Sequence, residues 1–203
     1  MSFNYYYVHS SHDQVYNSRW PAVIITSGKK PGQKSHFNLY FLAANNQVIK
    51  KNNVANVFQN WGDLFKIEFS IKVTKLPTTT WTNVFHFTAH GNDVTRYGDR
   101  IPALYINKGG FFHVCSAVSG NKNYCKNVNF VLGKEYQMTI QQLKVLGKFW
   151  YEIIMDSASI LKIENSQAQR FSNVKMYTSD PWYSSFTSDL GSISNIRVLH
   201  GEG

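Results

Sequence analysis

A strict alternation of apolar and polar residues constrains this chain most strongly. In the segment FKIEFSIKV, from Phe65 to Val73, every odd position is apolar and every even position is Lys, Glu or Ser. Successive side chains of a β-strand point to opposite faces, so the pattern predicts a strand with one buried and one solvated face. Strands of this kind are typical of antiparallel sheets.

Comparable segments recur along the chain and are separated by turn residues such as the Gly- and Pro-containing stretch 28–32. About eleven short strands without an amphipathic helix predict an all-β fold, a two-sheet antiparallel β-sandwich of jelly-roll type. The Asn-rich stretch 45–60 is expected to form a short helix or a long loop. The predicted strands are 20–27, 36–44, 65–73, 83–89, 101–107, 111–118, 136–143, 148–156, 159–165, 173–179 and 192–199.

Composition favours a polar but weakly charged surface. Charged residues make up 16% of the chain, against about 25% in an average protein, so Asn, Gln, Ser, Thr and Tyr must cover much of the surface. Their neutral donors and acceptors suit sugar hydroxyls. The net charge of +9 suits an anionic partner, but the basic residues are dispersed and form no nucleic-acid motif. A sialylated, sulfated or otherwise acidic glycan suits the same charge equally well, and nucleic acid is not the expected partner.

Nothing at the start of the sequence looks like a targeting segment. The stretch MSFNYYYVHSSHD lacks the basic region and apolar core of a secretory signal. No apolar run approaches the roughly 20 residues that cross a membrane. We expect a soluble protein without a membrane span, outside the cell or at its surface if a leader is removed, with the cytoplasm as the alternative.

The two cysteines, Cys115 and Cys125, lie ten residues apart and flank the turn-rich segment SAVSGNKNY. A disulfide bond between them is expected, and closing a loop of this length stabilises a fold by about 2.5 to 3 kcal/mol. The alternative is two unrelated buried thiols. A second Cys or His pair at zinc-binding spacing does not occur.

The order of features from Trp61 to Leu199 resembles the concanavalin A-like lectin and laminin-G superfamily. The segments that carry the resemblance are DLFKIEFSIKV, GDRIPALYI, HVCSAVSGNKNY, FWYEIIMD, NVKMYTSDPW and GSISNIRVL. It looks closest to extracellular jelly-roll lectin modules of invertebrates and slime moulds. The resemblance implies two antiparallel sheets, glycan recognition through loops and often a bound calcium ion. No linker divides the chain, so one domain over 1–203 is expected, with 1–60 supplying outer strands and loops.

Two loops combine an aromatic ring with planar polar groups, the mixture that binds sugars. A ring covers the apolar face of a pyranose, while amides and carboxylates bind its hydroxyls. One loop is SDPWY and the other SGNKNY, and the polar loop 90–99 adds a histidine and an arginine. The alternative for Trp182 is that its ring is buried and packs in the core instead of binding a sugar. The candidate carbohydrate-binding residues are Asp180, Trp182, Tyr183, Asn121, Asn123, Tyr124, His90 and Arg96.

The loop 90–99 is also the candidate calcium site. Asn92, Asp93 and Asp99 supply three of the six to eight oxygens that calcium requires. The alternatives are turn chemistry, in which Asn and Asp bond their own backbone, and a local ion pair between Asp99 and Arg100.

Catalysis is not expected. A retaining glycosidase needs two carboxyl groups about 5 Å apart, and Glu152 and Asp156 are the only pair on one strand face, where solvated charges are the simpler interpretation. A lyase would gather His86, Arg100 and Tyr105 on one sheet, although His86 is expected to be a packed strand residue. The predicted function is a non-catalytic lectin that binds glycans or glycoproteins, galactose-containing glycans among them, with a homo-oligomer as an expected form. The alternatives are a laminin-G-like adhesion module and a polysaccharide lyase or glucanase.

Overall fold

The computed structural model describes the backbone of residues 26–27 and 37–42 and the whole of residues 51–203. These residues form fourteen strands and no helix. The described part of the chain therefore contains no helix long and apolar enough to cross a membrane. The strands are β1 (Thr26–Ser27), β2 (Phe37–Leu42), β3 (Val54–Trp61), β4 (Leu64–Val73), β5 (Trp81–Thr88), β6 (Ala103–Asn107), β7 (Phe111–Val118), β8 (Asn121–Asn129), β9 (Glu135–Val145), β10 (Lys148–Met155), β11 (Ala158–Glu164), β12 (Phe171–Tyr177), β13 (Ser184–Ser185) and β14 (Gly191–Gly201).

The strands form two sheets. Sheet I has the order β1-β2-β14-β4-β9-β10-β11, and sheet II has the order β3-β12-β5-β6-β7-β8, with β13 beside β5. Neighbours along both orders are antiparallel, and the short β13 runs parallel to β5. The chain crosses repeatedly from one sheet to the other. This arrangement confirms the predicted all-β, two-sheet jelly-roll sandwich.

A single apolar core lies between the sheets. From sheet I, β4 buries the odd-numbered side chains that its alternation predicted, among them Ile67 and Phe69. From sheet II, Phe85, Ile106 and Phe112 are fully buried against them. The rings of Phe69 and Phe85 meet edge to face at 5.2 Å and join the two sheets. Each such side chain contributes about 1.5–3 kcal/mol through burial. The assignment of 1–203 to one domain stays a prediction.

Strand β3 replaces the short helix or loop predicted over 45–60, so that prediction is wrong for the part of the segment that is described. Among the described strands, β3 lies at an edge of sheet II and pairs only with β12. An edge strand needs few core side chains, and here only Phe58 and Trp61 are buried. The polar residues of β3 therefore made this segment look like a loop in the sequence. Residues 45–50, together with 20–25 of the first predicted strand, lie outside the described residues.

Strand β8 begins at Asn121, inside the segment that was predicted to be a binding loop. Ser119 and Gly120 form a two-residue turn with positive φ angles of 48° and 81°, the conformation that favours tight hairpins. The hairpin places Cys115 directly opposite Cys125, and the two form the predicted disulfide. The bond therefore joins two paired strands rather than closing a loose loop.

Candidate functional site

The outer face of sheet II carries rings and amides in two adjacent rows, of which Asn83 and Tyr105 are buried. Leu104 and Val114 of β6 and β7 point into the core, so the alternate residues Tyr105 and His113 point outward. The strand register sets these residues side by side in two rows that cross β5, β6, β7 and β8. We call this surface the outer platform. Its rows are Asn83, Tyr105, His113 and Asn127, and Trp81, Asn107, Phe111 and Asn129.

The rings of the outer platform contact one another. The centroids of Trp81 and His113 lie 4.5 Å apart, and those of Trp81 and Phe111 lie 6.1 Å apart. All three side chains are partly exposed, while Asn127 and Asn129 beside them are exposed. The platform therefore offers apolar ring surface next to exposed amide groups, of which the Asn127 oxygen already lies 2.6 Å from Nδ1 of His113.

Sequence reasoning missed most of this platform. The predicted strand began at residue 83 and excluded Trp81, while Phe111 and His113 were assigned to a strand but to no site. The alternation in FFHVCSAV carried a usable signal, because it separates the two faces of β7. It could not say which face meets solvent, since that depends on which other strands cover the sheet.

Arg100 forms the polar centre next to the outer platform. Its side chain is only 6% exposed. Nε and Nη2 donate to Asn92 Oδ1 at 3.2 and 3.1 Å, Nη1 donates to Asn123 Oδ1 at 2.7 Å, and Nη2 donates to the Tyr183 hydroxyl at 3.1 Å. The guanidinium carbon lies 5.2 Å from the centroid of the Tyr105 ring. Arg100 thus joins loop 90–99, strand β8 and the segment after Ser179.

A buried histidine–aspartate pair lies beneath this centre. His86 and Asp180 are 0% exposed, and Nδ1 of His86 lies 2.9 Å from Asp180 Oδ2. Nε2 of His86 donates to the backbone carbonyl of Asp99, and the Tyr105 hydroxyl lies 3.4 Å from Nδ1. The structure therefore brings together His86, Arg100 and Tyr105, the three residues that a lyase was expected to gather. The expectation that His86 is a packed strand residue is also confirmed.

Asp180 holds the segment SDPWY against sheet II. Its Oδ1 accepts the backbone N–H groups of Trp182 and Tyr183 at 3.1 and 2.9 Å, and its own N–H donates to Asn83 Oδ1 at 2.9 Å. Because Asp180 is fully buried, its carboxylate positions the loop and does not face solvent.

Burial shifts the pKa values of two platform residues, Tyr105 and His113. It raises the pKa of Tyr105 well above its usual value, and the charge of Arg100 opposes this shift only in part. Tyr105 therefore remains a neutral phenol. Burial lowers the pKa of His113, with the hydrogen bond to Asn127 acting in the opposite direction, so the imidazole is neutral at pH 7.

The other predicted carbohydrate-binding residues separate into two groups. Trp182 is 41% exposed at the edge of the platform, with its ring 5.4 Å from that of His86. Tyr183 and Asn123 are half-buried and contact Arg100. These residues and the platform form one continuous site.

The second group lies away from this centre. Tyr124 points to the other face of β8 and packs against the core. Asn121 is exposed and its Oδ1 accepts the N–H of Asn123, while Arg96 is exposed in the loop 90–99. His90 pairs with Asp99, with Nδ1 at 3.2 Å from Oδ1.

The loop 90–99 shows turn chemistry at Asp93. Its Oδ1 accepts both the backbone N–H and the hydroxyl of Thr95, at 2.9 and 2.8 Å. These hydrogen bonds, the backbone one first, lower the pKa of Asp93. This is the local bonding that the alternative interpretation of the loop anticipated.

The remaining calcium candidates do not direct their oxygens to a common point. Asp99 accepts from His90 through Oδ1 and from the backbone N–H of Asp93 through Oδ2 at 2.7 Å, and it does not pair with Arg100. Asn92 Oδ1 already accepts two N–H groups of Arg100, which brings a cation to this oxygen. In this arrangement the three residues do not fit a calcium shell. Calcium binding stays a prediction.

The two acids of the EIIMD segment do not form a catalytic pair. Glu152 on β10 of sheet I accepts from Gln141 and Ser159, at 2.8 Å each. Asp156 lies in the turn after β10 and pairs with Lys134 at 2.9 Å. Their carboxylates have separate partners, and both residues belong to the sheet opposite the outer platform.

No family model and no curated protein sequence matches this chain. Similar solved structures include the heptameric SAP-like pentraxin of Limulus polyphemus, with 12% identity over 81% of this chain and 73% of that chain and a TM-score of 0.43. Another is the CBM40 of the Ruminococcus gnavus IT-sialidase bound to α2,3 sialyllactose, with 11% identity, 74% and 89% coverage and a TM-score of 0.45. A third is Trypanosoma rangeli sialidase, with 10% identity and a TM-score of 0.47. That match covers 81% of this chain but only 27% of the sialidase chain. At these scores the similarities carry no argument about function.

Proposed function

We propose that this chain is a non-catalytic, lectin-type module that binds glycans across the outer platform of sheet II. One observation carries the proposal: partly exposed rings of Trp81, Phe111 and His113 lie next to the exposed amides of Asn127 and Asn129. A sugar ring offers an apolar face of C–H groups and an edge of hydroxyls. Stacking on the rings removes the apolar face from water, while the amides bind the hydroxyls.

The platform has the dimensions of an oligosaccharide site. It crosses the four adjacent strands β5 to β8, and three inter-strand intervals of about 4.8 Å span about 14 Å. A surface this long accepts several sugar units in a row. Trp182 and Tyr183 stand along one side of it and contribute further ring surface.

The disulfide supports a site of action outside the cell. The bond between Cys115 and Cys125 lies on sheet II next to Arg100, whose Nη1 is 3.8 Å from the sulfur of Cys115. Such bonds persist in oxidising compartments and are rare in the cytosol. We place the protein in the extracellular space or at the cell surface, bound to glycoproteins, where a homo-oligomer would add avidity to weak individual sites.

A polysaccharide lyase is the second candidate, because Tyr105 contacts both His86 and Arg100. Two properties of Tyr105 weigh against it. Its side chain is 2% exposed and burial raises its pKa, whereas a general base works best with a pKa near the operating pH and within reach of the substrate. Release of unsaturated ends from uronate polymers would favour the lyase instead.

The decisive experiment compares Trp81→Ala with Trp150→Ala in calorimetric titration of glycans chosen from an array. Trp150 is also half-buried, but it lies on β10 of sheet I, where Lys162 covers it at 5.9 Å. Loss of a stacked ring is expected to weaken binding about tenfold or more in Trp81→Ala and to leave Trp150→Ala unchanged. Equal affinities in both variants, or no binding to any glycan, would contradict the proposal. Binding to a protein partner that free sugar does not displace would point to an adhesion module.

A further inference from the structure

Arg100 is a buried cation whose direct partners are all neutral. Its nitrogens donate to amide oxygens of Asn92 and Asn123, to the Tyr183 hydroxyl and weakly to the sulfur of Cys115. Among the ion pairs of residues 51–203, none includes Arg100. Removing a guanidinium from water costs several kcal/mol, which hydrogen bonds to neutral groups offset only in part.

The two nearest buried acids are already engaged. Asp180 pairs with His86 and holds the backbone of the segment SDPWY, while Asp99 pairs with His90 and with the backbone of its own loop. Neither carboxylate can turn toward Arg100 without leaving these donors unsatisfied. Within residues 51–203, the charge of Arg100 is therefore left without an acidic partner.

We propose that the glycan bound by this protein carries a carboxylate, and that Arg100 recognises it. This inference rests on the proposed function and names its ligand class: uronic, sialic or other carboxylated sugars. The planar guanidinium matches a carboxylate through two parallel N–H···O bonds, and such charge-assisted bonds are about twice as strong as neutral ones.

The groups around Arg100 allow a ligand carboxylate to replace one of its present hydrogen-bond partners. Asn92, Asn123 and Tyr183 are each more exposed than Arg100 and come from three separate segments. A carboxylate oxygen can take the place of the Asn123 amide oxygen, which now lies 2.7 Å from Nη1. The Tyr183 oxygen accepts from Arg100, so its own O–H is available to donate to the same carboxylate.

The rim of the site adds positive charge. Lys122, the neighbour of Asn123 on β8, is exposed. Exposed cations around a cleft raise the local concentration of an anionic ligand.

The test is an isosteric substitution that supplies the missing anion from within the chain. Asn123→Asp places a carboxylate against Nη1 of Arg100 without changing the shape of the side chain. The ligands are uronate and sialylated oligosaccharides, each compared by calorimetry with its methyl ester. The native protein should bind the acid form of at least one series about tenfold to a hundredfold more tightly than the ester. Asn123→Asp should remove that preference, so that the acid and its ester bind with equal affinity.

Asn173→Asp is the matched control. It makes the same change of charge at an exposed position of β12 whose φ of 55° suits both residues, and it should keep the preference for the acid form. A melting temperature that rises in Asn123→Asp, but not in the control, would give a second readout of the new ion pair.

Each outcome separates this inference from the proposed function. If acid and ester bind equally in both series, or if Asn123→Asp keeps the preference, Arg100 does not recognise a carboxylate, although the platform still binds glycans. Equal binding of a sulfated oligosaccharide would overturn the assignment to a carboxylate in particular. If no glycan of any charge binds, both proposals are wrong.

Discussion

His200 should make this protein sensitive to acid. The residue lies on β14 and is only 2% exposed. Its ring stacks on Trp61 with centroids 5.0 Å apart and meets the edge of Phe58 at 5.1 Å. Burial among these rings lowers the pKa of His200 from 6.5 to about 4, because a charged imidazolium would lose its hydration there.

The direction of the effect follows from proton linkage. The unfolded chain takes up a proton on His200 near pH 6.5, but the folded chain does so only near pH 4. The stabilising contribution is therefore complete above pH 6.5 and is lost as the pH falls from 6.5 to 4. The shift from 6.5 to about 4, at about 1.4 kcal/mol per pKa unit, corresponds to about 3.5 kcal/mol of the free energy of unfolding, of which about 3 kcal/mol is lost by pH 4.

Urea denaturation at half-unit steps from pH 7.5 to pH 4 would measure this loss. His200→Phe keeps a ring against Trp61 but cannot be protonated, so its free energy of unfolding should decline by about 3 kcal/mol less than that of the native protein over this range. Ser192→Phe, at an exposed position of the same strand, adds a ring without removing a titratable group, serves as the control and should decline like the native protein. If His200→Phe and the native protein lose stability in parallel, the neutral imidazole is not the acid-sensitive group.

Three further expectations follow from the described contacts. Reducing the bond between Cys115 and Cys125, ten residues apart, should lower the free energy of unfolding by about 2.7 kcal/mol; a reductant that leaves the urea midpoint unchanged would contradict this. Asp180→Asn should cost about 1–3 kcal/mol, because it removes the charged partner of His86, and should make the segment around Trp182 more susceptible to proteolysis; resistance equal to that of the native protein would argue against its anchoring role. Chelators should leave the melting temperature unchanged, because the loop oxygens already have protein donors, and a rise on adding calcium would show that the loop rearranges to bind it.

The central strands could be predicted from the sequence because their patterns follow directly from burial. Strand β4 has one face in the core and one in solvent, so its alternation is nearly complete. Strands β3 and β8 were missed because each is an edge of sheet II. An edge strand buries few side chains, and its composition then looks like that of a loop.

The candidate site could be predicted only in part, because its contacts are distant in sequence. Arg100 is bonded to residues that lie 8, 23 and 83 positions away. Aromatic and amide residues in turns drew attention to Tyr183 and Asn123, which both contact Arg100. The exposure of Trp81 and His113, in contrast, depends on which strands cover sheet II, and local periodicity holds no information about that.

The position of β8 at the margin of sheet II also bears on self-association. A marginal strand has a row of backbone N–H and C=O groups that another chain could extend into a larger sheet. Here the disulfide bond to β7 holds β8 in the sheet. Lys122 and Lys126 would repel the same lysines of an identical strand paired with β8. Any assembly of several copies should therefore leave this margin open to solvent.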